Sequence, residues 1–358
     1  MKIFAIIMAG GVGSRFWPKS REKNPKQLLK MFGDRTLIQQ TVDRLKGIVD
    51  SNDIFIITNS SLTEKIAEQL PEIPGCNIIA EPFGRNTAPC IALGALIAKK
   101  ISPDSVSIVL PADHLIKDEE IFRKTLTEAA NYAYEKNGLV TIGIPPNRPE
   151  TGYGYIQVKE CIKINEDIEF YGVETFAEKP NYATALRFLH SGDFLWNSGM
   201  FIWRNDVILD EIMINLPELY NEIIKLEPVL FTEKFESTLE SVYSKVKSVS
   251  IDYGVMEKSN NVYLVKGKFI WNDVGSWDEV YRLSELDEKR NALDGNVFTE
   301  TSHDCYVYSP DKFTALLGVD NLIVINTNDA LLICRRDQSQ EVKKVVEFLK
   351  MNKNSDLL

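Results

Sequence analysis

Directly after an apolar run at residues 3–8 stands Met8-Ala9-Gly10-Gly11-Val12-Gly13-Ser14-Arg15-Phe16-Trp17-Pro18. Glycines without Cβ atoms let the backbone adopt positive φ and bring N–H groups against an anion, so this loop is chemically suited to cradling phosphate oxygens. Two familiar phosphate loops are excluded by single residues. A P-loop needs a second glycine five positions after Gly10, where Arg15 stands. A dinucleotide fingerprint starting at Gly11 and Gly13 needs a small third residue, where Phe16 stands. A second basic element follows at Arg21 and Asn24-Pro25-Lys26-Gln27. Pro25 biases Asn24 towards an extended conformation and stiffens the approach to Lys26, whose compact ammonium is a point charge for a reacting phosphoryl group.

Such a loop needs a scaffold. Apolar runs at residues 3–8, 54–58, 106–110, 139–144, 201–203 and 262–265 read as buried strands, several of them continuous and rich in Ile and Val. Between them, residues 36–48, 61–69, 87–99, 119–136 and 182–190 have helical texture. This alternation predicts an α/β fold, a Rossmann-like and mostly parallel sheet with helices on both faces. After a helix expected at 276–286 the texture changes. Short strands broken by turn residues run from 295 to 335, then an amphipathic helix follows at 339–350, a composition that suits a small β structure. The expected division is 1–290 and 291–358.

Composition narrows the function classes. A formal net charge of −10 argues against a protein living on a nucleic-acid backbone, which requires a positive field. Five cysteines without a C-x-x-C pair fit free thiols in a reducing compartment, and with three histidines they make a zinc site an unfavoured reading. The N-terminal apolar run lacks a cleavage site and is followed at once by Arg15, Trp17 and Lys19; the longest apolar stretch, 88–98, is too short to span a bilayer. A cytoplasmic protein without a membrane partner is expected.

Taken together, residues 9–18 and Pro25-Lys26-Gln27 resemble the signature of the sugar-nucleotide pyrophosphorylases, in the form typical of bacterial mannose-1-phosphate guanylyltransferases. The resemblance continues through 81–89 (Glu81-Pro82-Phe83-Gly84-Arg85-Asn86-Thr87-Ala88-Pro89), Pro111-Ala112-Asp113-His114, 151–156, 176–180, 196–201 and 271–277, in the family's order. It implies a nucleotide-diphospho-sugar transferase fold with a small C-terminal β-helix-like domain, and no phosphomannose isomerase domain of the kind carried by the long bacterial relatives. It further implies transfer of GMP from GTP to mannose 1-phosphate, giving GDP-mannose and pyrophosphate, with Mg²⁺ as cofactor and a homodimer as the assembly.

The resemblance also assigns residues. Ala9, Gly10, Gly11, Gly13, Ser14 and Arg15 would wrap the nucleotide phosphates, and Arg15 with Lys26 would stabilise charge during transfer. Glu81, Pro82, Gly84, Arg85, Asn86, Thr87, Pro111, Ala112 and Asp113 would complete the nucleotide pocket. Asp113 and Asp273 match the family's metal ligands, and hard Mg²⁺ accepts two carboxylates plus phosphates and water. Tyr153, Gly154, Glu178, Lys179 and Asn197 would bind the sugar phosphate, with acceptor and donor groups suited to hydroxyls. Asn86 or Thr87 is also a natural helix cap, with Pro89 in the first turn. The rival readings are the same chemistry on another hexose 1-phosphate and NTP, and a non-catalytic sugar-nucleotide sensor. A sensor would have little need to keep Arg15, Lys26, Asp113 and Asp273 together.

Overall fold

The structure, a computed structural model, describes residues 1–165 and 167–358. The chain falls into two compact units, one made of residues 1–10, 41–112 and 116–271, the other of residues 11–40, 113–115 and 272–358. Compactness therefore groups the chain differently from a single division near residue 290.

The first unit is built on nine strands: β1 (Ile3–Met8), β2 (Ile54–Asn59), β3 (Ile78–Glu81), β4 (Val106–Pro111), β5 (Leu139–Ile144), β6 (Gly154–Asn165), β7 (Ile168–Glu178), β8 (Phe194–Arg204) and β9 (Val262–Lys266). Their order is β3-β2-β1-β4-β8-β5-β9-β7-β6, with β8 also pairing β6. The sheet is parallel from β3 to β4 and between β5 and β9. It turns antiparallel wherever β6, β7 or β8 takes part. The mostly parallel sheet read from the sequence is thus a mixed one. The long β6–β7 hairpin was not anticipated because the second half of β6 is largely exposed and carries Lys159, Glu160 and Lys163, which removes the apolar run that marks a buried strand. Likewise β8 begins seven residues before the expected 201–203, carrying Trp196 and Asn197 on the strand itself.

Several boundaries agree with the apolar pattern. β1, β5 and the helix Glu119–Lys136 coincide with their expected ranges. The helix Thr87–Ile101 is buried over residues 88–98 and packs with Ile6, Phe55 and Ile57 on one face of the sheet. Gly94 is required there, since a Cβ would lie 2.7 Å from the Ile6 side chain. Strand order reverses around β1, with β2 on one side and β4 on the other. That switch point opens a crevice at the carboxyl ends of β1 and β4, where ligands of open α/β sheets bind. The chain leaves β1 at Met8 and β4 at Pro111, paired in register, and Ala112 N–H donates to the Met8 carbonyl at 3.1 Å.

The second unit contains β10 (Ala292–Glu300), β11 (Tyr306–Leu317), β12 (Leu322–Asn326) and β13 (Leu331–Arg335). The first three stack in parallel, as in a β-helix, and β13 closes the stack antiparallel. Its core joins distant sequence: Phe16 and Trp17 from the glycine loop pack with Val274, Trp277, Tyr306, Ile323 and Val346. Trp277 stands edge-on to Phe16, with ring centroids 5.2 Å apart, and its indole N–H donates to the Trp17 carbonyl at 3.2 Å. Phe16, which excludes a dinucleotide fingerprint, is therefore an anchor that seats the loop, together with Trp17.

Candidate active site

In the second unit Gly13, at φ 65°, turns the glycine loop into a short 3-10 turn, Ser14–Phe16. No other residue fits, because a Cβ here would sit 2.5 Å from the Lys26 Cβ. The loop is braced from behind by Ser20, whose hydroxyl donates to the Val12 carbonyl at 2.8 Å, and by Gln27, whose amide donates to the Gly11 carbonyl at 3.0 Å. Lys26 begins the adjoining turn Lys26–Leu28 and is buried. Its ammonium donates to Asp113 Oδ2 at 2.8 Å and to the backbone carbonyl of Asp273 at 2.5 Å. Gly13, Ser14, Arg15, Lys26, Asp113, His114, Asp273 and Gly275 line one cavity of about 250 Å³.

The turn that carries Asp273 is strained. Val274 is fully buried at φ 48°, a conformation that a β-branched residue adopts only when its surroundings impose it, at a cost on the order of 1–3 kcal/mol. Asn272 holds it: its side-chain oxygen accepts the Val274 N–H at 2.6 Å, while its amide donates to Glu279 at 2.7 Å. The turn also places the Asp273 carboxylate 3.2–3.3 Å from where a Cβ at Gly275 would be, so a side chain there would press on that carboxylate. Burial opposes ionisation of Asp113, but the charges of Lys26 and His114 and the Lys26 hydrogen bond outweigh it and hold its carboxyl below the usual range. The result is an ionised carboxylate, about a third exposed, beside a buried ammonium.

In the first unit the nucleotide-pocket candidates gather at the carboxyl edge of the parallel strands. Ala9 N–H donates to the Ile57 carbonyl at 2.8 Å, and the Thr58 hydroxyl donates to the Ala9 carbonyl at 3.0 Å. Glu81 ends β3, buried, with Oε1 accepting from the Tyr243 hydroxyl at 2.9 Å. Its Oε2 lies 3.7 Å from where a Cβ at Gly10 would be. Burial raises the Glu81 carboxyl to about 7, with Tyr243 pulling the other way. Pro82 and Gly84 lie in the turn beyond it. Arg85 donates through Nε to the Tyr243 carbonyl at 3.1 Å, and Asn86, at φ 68°, caps the helix Thr87–Ile101 through the Thr87 N–H at 2.8 Å.

The sugar-side candidates form a second group in that unit. Gly154 opposes Glu178 across the β6–β7 pair, and any side chain at 154 would collide with Glu178 Oε2. Lys179, at φ 47°, donates to Glu178 Oε1 at 2.5 Å, and its N–H donates to the Tyr153 carbonyl at 3.2 Å. The Tyr153 ring packs edge-on against Trp196 and Trp271, both at 5.2 Å. Asn197 donates to Asp252 Oδ1 at 2.7 Å, and its own side-chain oxygen accepts the Gly199 N–H at 3.1 Å.

A nucleotidyl transferase family profile matches residues 4–290. This chain belongs to the nucleotidyl transferase family. A second profile, for a mannose-phosphate isomerase/GMP-like β-helix domain, matches residues 295–349. The chain is 40% identical over 357 residues to a mannose-1-phosphate guanylyltransferase of Klebsiella pneumoniae, covering 99% of this chain and 75% of that protein. It is equally similar, 40% over 354 residues, to one of Escherichia coli K12, covering 98% and 74%. A crystal structure from Thermus thermophilus, described as a mannose-1-phosphate geranyltransferase, superposes with a TM-score of 0.87 at 34% identity, over 98% of this chain and all of that one.

Within this nucleotidyl transferase, Lys26, Asp113 and Asp273, 247 residues apart at the extremes, meet in one cavity with the glycine loop and Arg15. Sequence reasoning passed over three contributors. Val274 strains the turn that carries Asp273, Tyr243 holds Glu81, and Asp252 holds Asn197. The signal for Asp252 was present as a carboxylate inside an otherwise apolar stretch, Val249 to Met256. Tyr243 had none beyond helical spacing with Leu239 and Val242.

Proposed function

We propose that this chain transfers GMP from GTP to α-D-mannose 1-phosphate, yielding GDP-mannose and pyrophosphate. The observation that carries the reading is the Lys26 ammonium bonded to both Asp113 and the Asp273 carbonyl beside the glycine loop. A phosphate oxygen of mannose 1-phosphate attacks the α-phosphorus of GTP. The new P–O bond forms as the bond to the β-phosphate's bridging oxygen breaks, and pyrophosphate leaves with that electron pair. The nucleophile is already an anion near neutral pH, so no general base is required. What the protein must do is hold two mutually repelling polyanions in line.

Lys26 and Arg15 supply fixed positive charge where it accumulates in the transition state. The loop N–H groups of Gly11, Gly13 and Ser14 bind phosphate oxygens. Asp113 and Asp273 are hard oxygen donors lining one cavity, and with Asp113 kept ionised they fit Mg²⁺, whose remaining positions phosphates and water would fill. When bound there, Mg²⁺ would draw charge from the α-phosphate. Glu81 accepts from the N1–H and 2-amino groups of guanine; a base lacking those donors leaves it unpaired. Glu178 and Asn197 bind sugar hydroxyls and Lys179 meets the sugar phosphate.

In this reading residues 1–290 carry every substrate-binding group and 291–358 form a supporting β-helix domain. In the same reading the enzyme works as a cytoplasmic homodimer. Pyrophosphate release measured across four NTPs and several hexose 1-phosphates, with and without Mg²⁺, tests the reaction. Fastest turnover on any other pair would overturn the substrate assignment. Light scattering at twice 40.6 kDa tests the dimer.

A further inference from the structure

A stretch outside the sequence blocks named above touches both candidate groups of the first unit. It begins with Tyr243 near the end of the helix Phe235–Lys245 and runs to Asp252. Tyr243 is fully buried, and it grips the base loop twice: its hydroxyl donates to Glu81 Oε1, and its carbonyl accepts from Arg85 Nε. Beyond the helix the chain lies along residues 85–88. Val249 N–H donates to the Arg85 carbonyl at 3.3 Å, Ala88 N–H donates to the Val249 carbonyl at 3.1 Å, and Ile251 N–H donates to Thr87 Oγ1 at 2.9 Å. The Ala88 bond satisfies a first-turn donor that a helix N-terminus leaves without an internal partner. At the far end Asp252 Oδ1 accepts from Asn197 at 2.7 Å.

We propose that residues 243–252 are a positioning strap for substrate selection, with Tyr243 orienting Glu81 towards the base and Asp252 orienting Asn197 towards the sugar. This rests on the roles given above to Glu81 and Asn197. With Oε1 tied to Tyr243, Glu81 keeps Oε2 on the side of Gly10, so the carboxylate meets a base in one orientation. Asn197 is fixed at both ends of its amide, Nδ2 on Asp252 and Oδ1 on the Gly199 N–H. One N–H and one lone pair then remain, in a set geometry, for a sugar hydroxyl. Without Asp252 only the Gly199 N–H still orients the amide, and the geometry offered to the hydroxyl loosens.

The test uses Tyr243→Phe, Asp252→Ala and Asp252→Asn in the full-length enzyme. For Tyr243→Phe, the preference for GTP over ITP, which lacks the 2-amino group, falls at least fivefold, and KM for mannose 1-phosphate stays within twofold. For Asp252→Ala, KM for mannose 1-phosphate rises at least tenfold while kcat stays within threefold, and the GTP:ITP preference is unchanged. Asp252→Asn, which keeps an acceptor for Asn197, recovers most of that loss. Unchanged ratios, or equal losses on both substrates in variants that melt like wild type, overturn the strap. Should Asp252→Ala not fold, the split between Tyr243→Phe and Asp252→Asn still decides. A wild type that does not turn over GTP with mannose 1-phosphate refutes the reaction instead; the strap is then judged from the GTP and ITP dissociation constants of wild type and Tyr243→Phe by calorimetry.

Discussion

Two carboxylates, one in each unit, have opposite electrostatics. Asp113 sits against the Lys26 ammonium and is held ionised despite its burial. Glu81 sits against a neutral phenol, and burial raises its carboxyl to about 7. The partner decides the difference. A cation repays the desolvation of a carboxylate, whereas a hydroxyl repays only part of it. The first arrangement suits a permanent platform for phosphate chemistry. The second suits recognition, where a carboxylate exchanges water for the donors of a base.

The comparison can be broken from either side, and the largest effects belong to the platform. Asp273→Ala is expected to lower turnover by about 10³-fold or more, since it removes one of two carboxylates from a site that would hold a divalent ion. Circular dichroism should stay native, and an activity insensitive to a magnesium titration would remove Asp273 from this role. Lys26→Ala is expected to lower turnover by about 10²–10³, on the order of 3–4 kcal/mol, as for the loss of one preorganised donor. Steady-state rates within threefold of wild type would refute it.

Recognition should respond to pH. In the role proposed for Glu81, its neutral carboxyl offers guanine a weaker acceptor, so GTP affinity is expected to improve as pH rises through about 7. Stability moves the other way. The folded value lies above the ordinary 4.5, so the contribution of Glu81 is fully present below 4.5 and is lost as pH rises through about 7. That loss is on the order of 3 kcal/mol. Urea unfolding of Glu81→Gln should show a smaller drop between pH 5 and pH 8 than wild type; an identical drop would place the titration elsewhere. The smallest effect is expected at an ion pair on the surface of the second unit. Arg21 and Asp329 pair at 2.9 Å, but Asp329 is half exposed, so Asp329→Ala should cost under ~1 kcal/mol in melting experiments and leave turnover within twofold.

Much of the site could be read before any fold was known, because phosphate chemistry leaves local marks. Glycines cluster where a backbone must approach an anion, Pro25 precedes Lys26, and Asp113 follows a buried strand. The strands β1 and β5 were legible for the same reason, since both faces are covered and every residue is apolar or small. The β6–β7 hairpin was not, because pairing at an exposed edge imposes no apolar run. Asp252 and Tyr243 were missed because their work is done by single side chains on residues 55 and 162 positions away.

The sequence by itself determined the kind of chemistry, through a loop that only small residues can form and a set of charged residues in family order. The tertiary structure alone decided which of those charges act together. It brought Lys26 to Asp113 and to a strained turn at Asp273, and it gave Glu81 a phenol instead of a cation. Local pattern records what each residue can do, but charge state and orientation depend on the nearest neighbour in space. In this chain those neighbours lie 87 to 247 residues away.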